Sequence, residues 1–132
     1  MPCKAKKGRF IMRTIRFRVW DQTNQKMLID VQNGFGEYDF RDFLECVGFE
    51  VMQYTGVEDI NGKHIFEGDF VRFYDAYNDP DNEKPLYGII GFSDAAFVIK
   101  TEYDLYYAWS NHNIEVIGNK FSIMQVLEES GG

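Results

Sequence analysis

The chain has 132 residues, 45% hydrophobic and 17% aromatic, enough apolar material for a buried core and too much for disorder throughout. No run of about 18 apolar residues occurs, which excludes a transmembrane helix. The 14 Lys and Arg against 21 Asp and Glu leave a net charge of −7, which speaks against a surface that coats nucleic acid over its whole extent.

The charge is unevenly placed. Residues 1–20 carry Lys4, Lys6, Lys7, Arg9, Arg13, Arg16 and Arg18 and no acid, so this leader is +7 and the remainder −14. A basic arm of this kind can meet phosphates, lie on an acidic body, or be a tag ahead of a second start at Met12. It has no apolar core of a signal peptide. The two cysteines, Cys3 and Cys46, form neither a CxxC pair nor a disulfide framework, and Cys46 reads as a buried small hydrophobe. A reducing cytoplasm is the expected compartment.

From Ile15 to Val19 apolar and basic residues alternate, which predicts a half-buried strand with Ile15, Phe17 and Val19 inward and Arg16 and Arg18 outward. The polar stretch Asp21–Lys26 is turn material, and Met27–Val31 reads as the second strand of a hairpin. Phe40, Phe43, Leu44 and Val47 fall at i, i+3, i+4 and i+7, which predicts a helix with these four on its core face, Asp39 as cap and Gly48 as stop. Short strands are expected at Glu50–Tyr54, around Ile65, and at Phe70–Tyr74. Four more follow at Leu86–Phe92, Ala96–Thr101, Tyr106–Trp109 and Ile114–Ile117. Asn61-Gly62 marks a tight turn, and Tyr77–Lys84 an exposed loop. At the end, the Ser122/Gln125 spacing of a capping box predicts a short C-terminal helix.

Chemistry-bearing patterns are sparse. His64 and His112 have no zinc-ligand spacing, and no nucleophile elbow, P-loop or GxGxxG is present. Asp79, Asp81 and Glu83 alternate, but counting from Asp79 the sixth and twelfth positions are Lys84 and Ile90, not the Gly and Glu of an EF-hand loop. No metal or cofactor is expected. Glu58 and Asp59 with Glu67 and Asp69 form the acidic set that would serve an acid–base site if they converged in a pocket, and His64 is the further candidate beside Glu67 and Asp69. Against this, Asp59 and Asp69 suit hydrogen bonds to the backbone of their own turns. Tyr103, Tyr106, Tyr107 and Trp109 crowd one strand region beside Glu102 and Asp104, an acidic setting that favours core packing or a self-association face over base stacking.

Three blocks carry a resemblance. Ile15-Arg16-Phe17-Arg18-Val19-Trp20-Asp21 with Lys26-Met27 resembles an opening I-K-F-R-A-W-D … K-M. Met52-Gln53-Tyr54-Thr55-Gly56-Val57-Glu58-Asp59-Ile60-Asn61-Gly62 continuing to Glu67-Gly68-Asp69-Phe70-Val71 resembles M-Q-Y-T-G-L-x-D-x-N-G-x-x-I-Y-E-G-D-I-V. Glu115-Val116-Ile117-Gly118-Asn119 resembles a closing E-V-I-G-N. Together they are similar to the YopX family of phage and prophage proteins, over about Met12 to Leu127. The basic leader lies outside the pattern. The resemblance implies a cytoplasmic, mainly β protein and no established activity. It marks Trp20, Asp21, Gln53, Tyr54, Thr55, Gly56, Asp59, Asn61, Gly62, Glu67, Gly68, Asp69, Gly118 and Asn119 as motif positions, mostly structural in character.

The expected fold is mainly β with minor α. An N-terminal hairpin and short helix (12–62) pack on a small SH3-like β-barrel closed by a short C-terminal helix (63–127), between a basic arm (1–11) and a frayed tail (128–132). The expected function is that of a non-enzymatic phage or prophage accessory protein working through protein contacts, as a homo-oligomer. One alternative is a nucleic-acid-binding module with Arg9, Arg13, Arg16 and Arg18 on phosphates. The other is an enzyme using Glu67, Asp69 and His64.

Overall fold

The alternation that begins at Phe17 builds strand β1 (Phe17–Asp21), which turns back into β2 (Lys26–Ile29) with Val19 opposite Leu28. A 3-10 turn (Val31–Asn33) and helix α1 (Phe40–Glu45) follow. The remaining strands are β3 (Phe49–Glu58), β4 (His64–Phe66), β5 (Asp69–Phe73), β6 (Leu86–Ser93), β7 (Ala96–Lys100), β8 (Leu105–Tyr106) and β9 (Ile114–Asn119). This is a computed structural model, and it describes residues 14–107, 109 and 113–124. Residues 1–11, the tail 128–132, Cys3, His112 and Gln125 lie outside the described residues. No helix among the described residues is long and apolar enough to cross a membrane.

Two antiparallel sheets result, one of four strands in the order β2-β1-β3-β4 and one of five in the order β8-β7-β6-β5-β9. The long strand β3 belongs to both layers of packing. Its first half pairs with β1, Val51 opposite Val19. Its second half passes an irregularity between Tyr54 and Glu58 and pairs with β4. Ile65 of β4 then enters the concave side of the five-stranded sheet. There it joins Val71, Phe73, Ile90, Ile99, Ile114 and Val116 in one buried cluster, with Val57, Tyr106 and Trp109 against it. A second cluster, Val19, Leu28, Val31 and Phe43, lies between the four-stranded sheet and α1.

The fold is thus mainly β with minor helices, and the expected closed barrel is corrected. The five-stranded sheet is open: β8 is two residues long and does not meet β9. The outer edge of β9 is met by a turn rather than a strand. Ile60 N–H donates to Ile114 O at 3.1 Å and Val116 N–H donates to the Asp59 carboxylate at 2.9 Å. These bonds satisfy an edge that would otherwise present bare backbone donors and acceptors.

Four local expectations also need correction. Helix α1 has the Asp39 cap, with Asp39 accepting from Asp42 N–H and Asp42 accepting from Asp39 N–H. Yet only Phe43 of its four-residue stripe is fully buried, while Leu44 is 60% exposed and Val47 entirely so. Six residues make fewer than two turns, and the chain is already extended at Cys46, so Val47 never reaches the core face. Cys46 is exposed rather than buried. In β1, Arg18 is not outward but only 9% exposed, because the second face of the strand is covered by the β4–β5 turn. The C-terminal helical turn starts earlier than the Ser122 cap predicts: residues 120–124 are helical. Asn119 is the cap, its Oδ1 accepting from Phe121 and Ser122 N–H while Ser122 Oγ accepts from Asn119 N–H.

Candidate functional site

The densest polar organisation lies where the motif block 52–71 meets β1 and β9. Three carboxylates are built into it. Asp59, 4% exposed, accepts from Asn61 N–H (2.8 Å), Lys63 N–H (2.9 Å) and Val116 N–H (2.9 Å), so one side chain closes the Asn61-Gly62 turn and ties it to β9. Glu67 accepts from Gln53 N–H at 2.8 Å, while its own N–H donates to Gln53 O. Asp69, 2% exposed, accepts from Phe66 N–H and from the Arg18 guanidinium, each at 2.8 Å. Arg18 also donates to Glu67 O at 3.1 Å and stacks on the Phe66 ring at 4.8 Å. Burial pushes the Asp69 carboxyl above its ordinary value, with Arg18 and the Phe66 N–H pulling against it.

His64 sits at the edge of this arrangement, its ring stacked on Tyr54 at 4.5 Å. Arg16 Nη1 lies 2.9 Å from His64 Nδ1 and Glu58 Oε1 3.3 Å from His64 Nε2. Arginine can only donate, so Nδ1 is the acceptor and the ring proton sits on Nε2, directed at Glu58. Arg16 also pairs with Asp30 at 3.4 Å. Burial pushes the Tyr54 hydroxyl up.

The other motif residues are largely architectural. Thr55 Oγ1 donates to Ile65 O at 2.8 Å and accepts from Val57 N–H, bridging the irregularity at Gly56. Asn61 donates to Glu115 at 3.0 Å, and Glu115 also holds Arg72. Gly68 has φ +85°, and a Cβ there would lie 2.9 Å from Met52 Sδ, so the residue answers both a turn conformation and a close approach. Gly62 N–H bonds to Asp59 O within its turn. Asp21 accepts from Asn24 N–H and from the Asn24 amide, and that amide holds its carboxyl below the usual value. Trp20 stacks on Phe121 at 4.5 Å, and Gly118 and Asn119 lead into the helical turn carrying that ring.

The structure therefore brings Arg18, Asp69 and Glu67 together and places His64 beside them without joining it to either acid. Glu67 and His64 line different cavities. Arg9 and Arg13 lie outside the described residues. Of the aromatic strand region, Tyr106 and Trp109 pack on the core. Tyr107 hydrogen-bonds to Asp94 at the surface and Tyr103 is exposed. Among the described residues no group of His, Cys, Asp and Glu is arranged to hold a metal ion. Sequence reasoning missed the central role of Arg18. The signal was the basic residue two before Trp20 together with Asp69, and nothing in the linear order links positions 51 residues apart.

The sequence model described as "YopX protein" matches residues 16–128. No curated protein matches the chain. Two solved structures are similar to it. One is protein EF1440 from Enterococcus faecalis, at 25% identity, covering 88% of this chain and 99% of that one with a TM-score of 0.61. The other is protein yopX from Bacillus subtilis, at 21% identity, covering 84% and 95% with a TM-score of 0.56, a likeness of fold. With the family pattern running through nearly all of the ordered strands and through the Arg18–Asp69 junction, the chain belongs to the YopX family.

Proposed function

We propose that this protein is a non-catalytic phage or prophage accessory protein that works in the bacterial cytoplasm through protein contacts and associates with itself. The observation that carries the reading is the use made of the candidate acid–base residues. Glu67 is bonded to the Gln53 backbone, Asp69 to Arg18 and Phe66 N–H, and His64 to Arg16 and Glu58. Each is occupied in holding strands together, and among the described residues Glu67 and His64 line different cavities, with Asp69 in neither. Aromatic and aliphatic surface supports the contact role: Tyr87, Phe92, Leu105 and Ile117 of the five-stranded sheet are all exposed.

The test is light scattering coupled to size exclusion across micromolar concentrations. A concentration-dependent dimer or larger species supports self-association, and a monomer at the highest concentration removes it. Salt-dependent binding to DNA or RNA that is lost on truncation before Met12 would instead favour the nucleic-acid reading. Arg16 and Arg18 are engaged with Asp30, His64 and Asp69 in this fold, so that reading places its weight on the leader.

A further inference from the structure

Between the β1–β2 hairpin and the β3–β4 turn lies an open cleft of about 340 Å³, lined by Arg18, Met27, Ile29, Lys63, His64 and Phe66. Its inner wall is Arg18. That guanidinium is fixed from behind: Nη2 donates to Asp69 and to Glu67 O, and the plane rests on Phe66. Among the described residues the protein supplies acceptors to Nη2 alone, and Nε is buried with no partner. A nine-tenths buried arginine with three of its five N–H donors unanswered among the described residues is uncommon, since such groups are ordinarily paired.

The rim adds a second cation. Arg16 is paired with Asp30 and His64 with Glu58, whereas Lys63 has no carboxylate within ion-pair distance among the described residues. The Lys63 backbone is held by Asp59, which fixes where the side chain starts. Lys63 and Arg18 line the same cleft. The opposite side of the cleft is apolar: Met27 and Ile29 of the edge strand β2, with Ile29 62% exposed. The cavities of about 470 and 500 Å³ are each lined by the Lys120–Glu50 ion pair.

We propose that this cleft binds an organic anion, its carboxylate or phosphate head held by Arg18 and Lys63 and its apolar body laid on Met27 and Ile29. The site requires neither self-association nor catalysis, and neither is changed by its failure.

The experiment is an amide chemical-shift titration of the full chain with phenyl phosphate, benzoate, inorganic phosphate and neutral benzyl alcohol. The expected result is saturable, salt-sensitive binding of phenyl phosphate or benzoate at millimolar or lower concentration, with shifts at Arg18, Ile29, Lys63 and His64. The preferred head distinguishes the phosphate from the carboxylate source. Lys63→Gln is expected to weaken binding about tenfold and Ile29→Ser severalfold, while Lys100→Gln leaves it unchanged. These are surface positions, so the variants fold even if Arg18→Gln does not. No saturable shift with either organic anion, binding indifferent to Lys63→Gln, or shifts centred on Lys100 and Lys120 would each overturn the assignment. Inorganic phosphate binding as tightly as phenyl phosphate would overturn the part given to Met27 and Ile29.

Discussion

Asp59 is the residue whose removal tests the architecture most directly. Its carboxylate accepts three backbone N–H groups, two in its own turn and one on β9, at 2.8–2.9 Å. In Asp59→Ala the Asn61 and Lys63 amides, which belong to exposed residues, can turn to water, a loss comparable to removing a helix cap, about 1 kcal/mol. The Val116 amide is buried and cannot, so it bears a desolvation cost of about 1–3 kcal/mol. The expected total is about 2–4 kcal/mol, a large fraction of the ~5–15 kcal/mol that holds a domain of this size. Asp59→Asn retains one acceptor oxygen but turns an amide donor toward the remaining N–H groups, so it should recover less than half of the loss. Urea unfolding gives the free energies, and hydrogen exchange locates them, with Val116 and Ile60 losing protection before the β5–β6 ladder does. A loss below about 0.5 kcal/mol, the size of an ordinary surface substitution, with Val116 still protected, would refute the claim that this side chain seals the sheet edge.

Three further outcomes are expected. Phe43→Ala should cost about 3–5 kcal/mol in thermal or urea melts and Val47→Ala less than about 0.5, since Phe43 is buried between Tyr38 and Phe49 while Val47 is in solvent. Gly68→Ala should destabilise by about 1–2 kcal/mol from its positive φ, and by more than Gly56→Ala, which has a similar φ with nothing within 4 Å of the new Cβ. Carboxyl NMR titration should place Asp21 below 3.8 and Asp69 above it, because the Asn24 amide stabilises the first charge and burial opposes the second. The signs for stability are then opposite. Asp21 contributes stability that is present above its unfolded value and lost as pH falls through its folded one. The Asp69 contribution is present in acid and lost as pH rises through its folded value. Equal values for the two groups would contradict both environments.

The strand order of the chain, the hairpin at its start and the motif turns were legible because each rests on residues within reach of one another. Period-two alternation marks β1, the polar stretch after it marks the hairpin turn, Asn61-Gly62 marks a turn, and Asp39 marks a cap. The same local signals failed where burial comes from a distant partner. Arg18 alternates like a solvent-facing residue, but the β4–β5 turn covers it and Asp69, 51 positions on, compensates its charge. Leu44 and Val47 fit a helical stripe, but the helix ends before that stripe can meet a sheet. Asn119 rather than Ser122 starts the last helical turn, a choice between two local caps that β9 decides by carrying Asn119 at its end. Nor does a count of short strands say whether a sheet closes. That depends on which edges meet, and here Asp59 and Ile60 meet β9 where a closed barrel would place another strand. Sequence by itself determined the β class, the family and the turn chemistry, which are short-range properties of residue type and spacing. Only the tertiary structure decided the open sheet, the buried Arg18–Asp69 junction and the cleft beside it, because each is made by contacts between residues roughly forty to sixty positions apart.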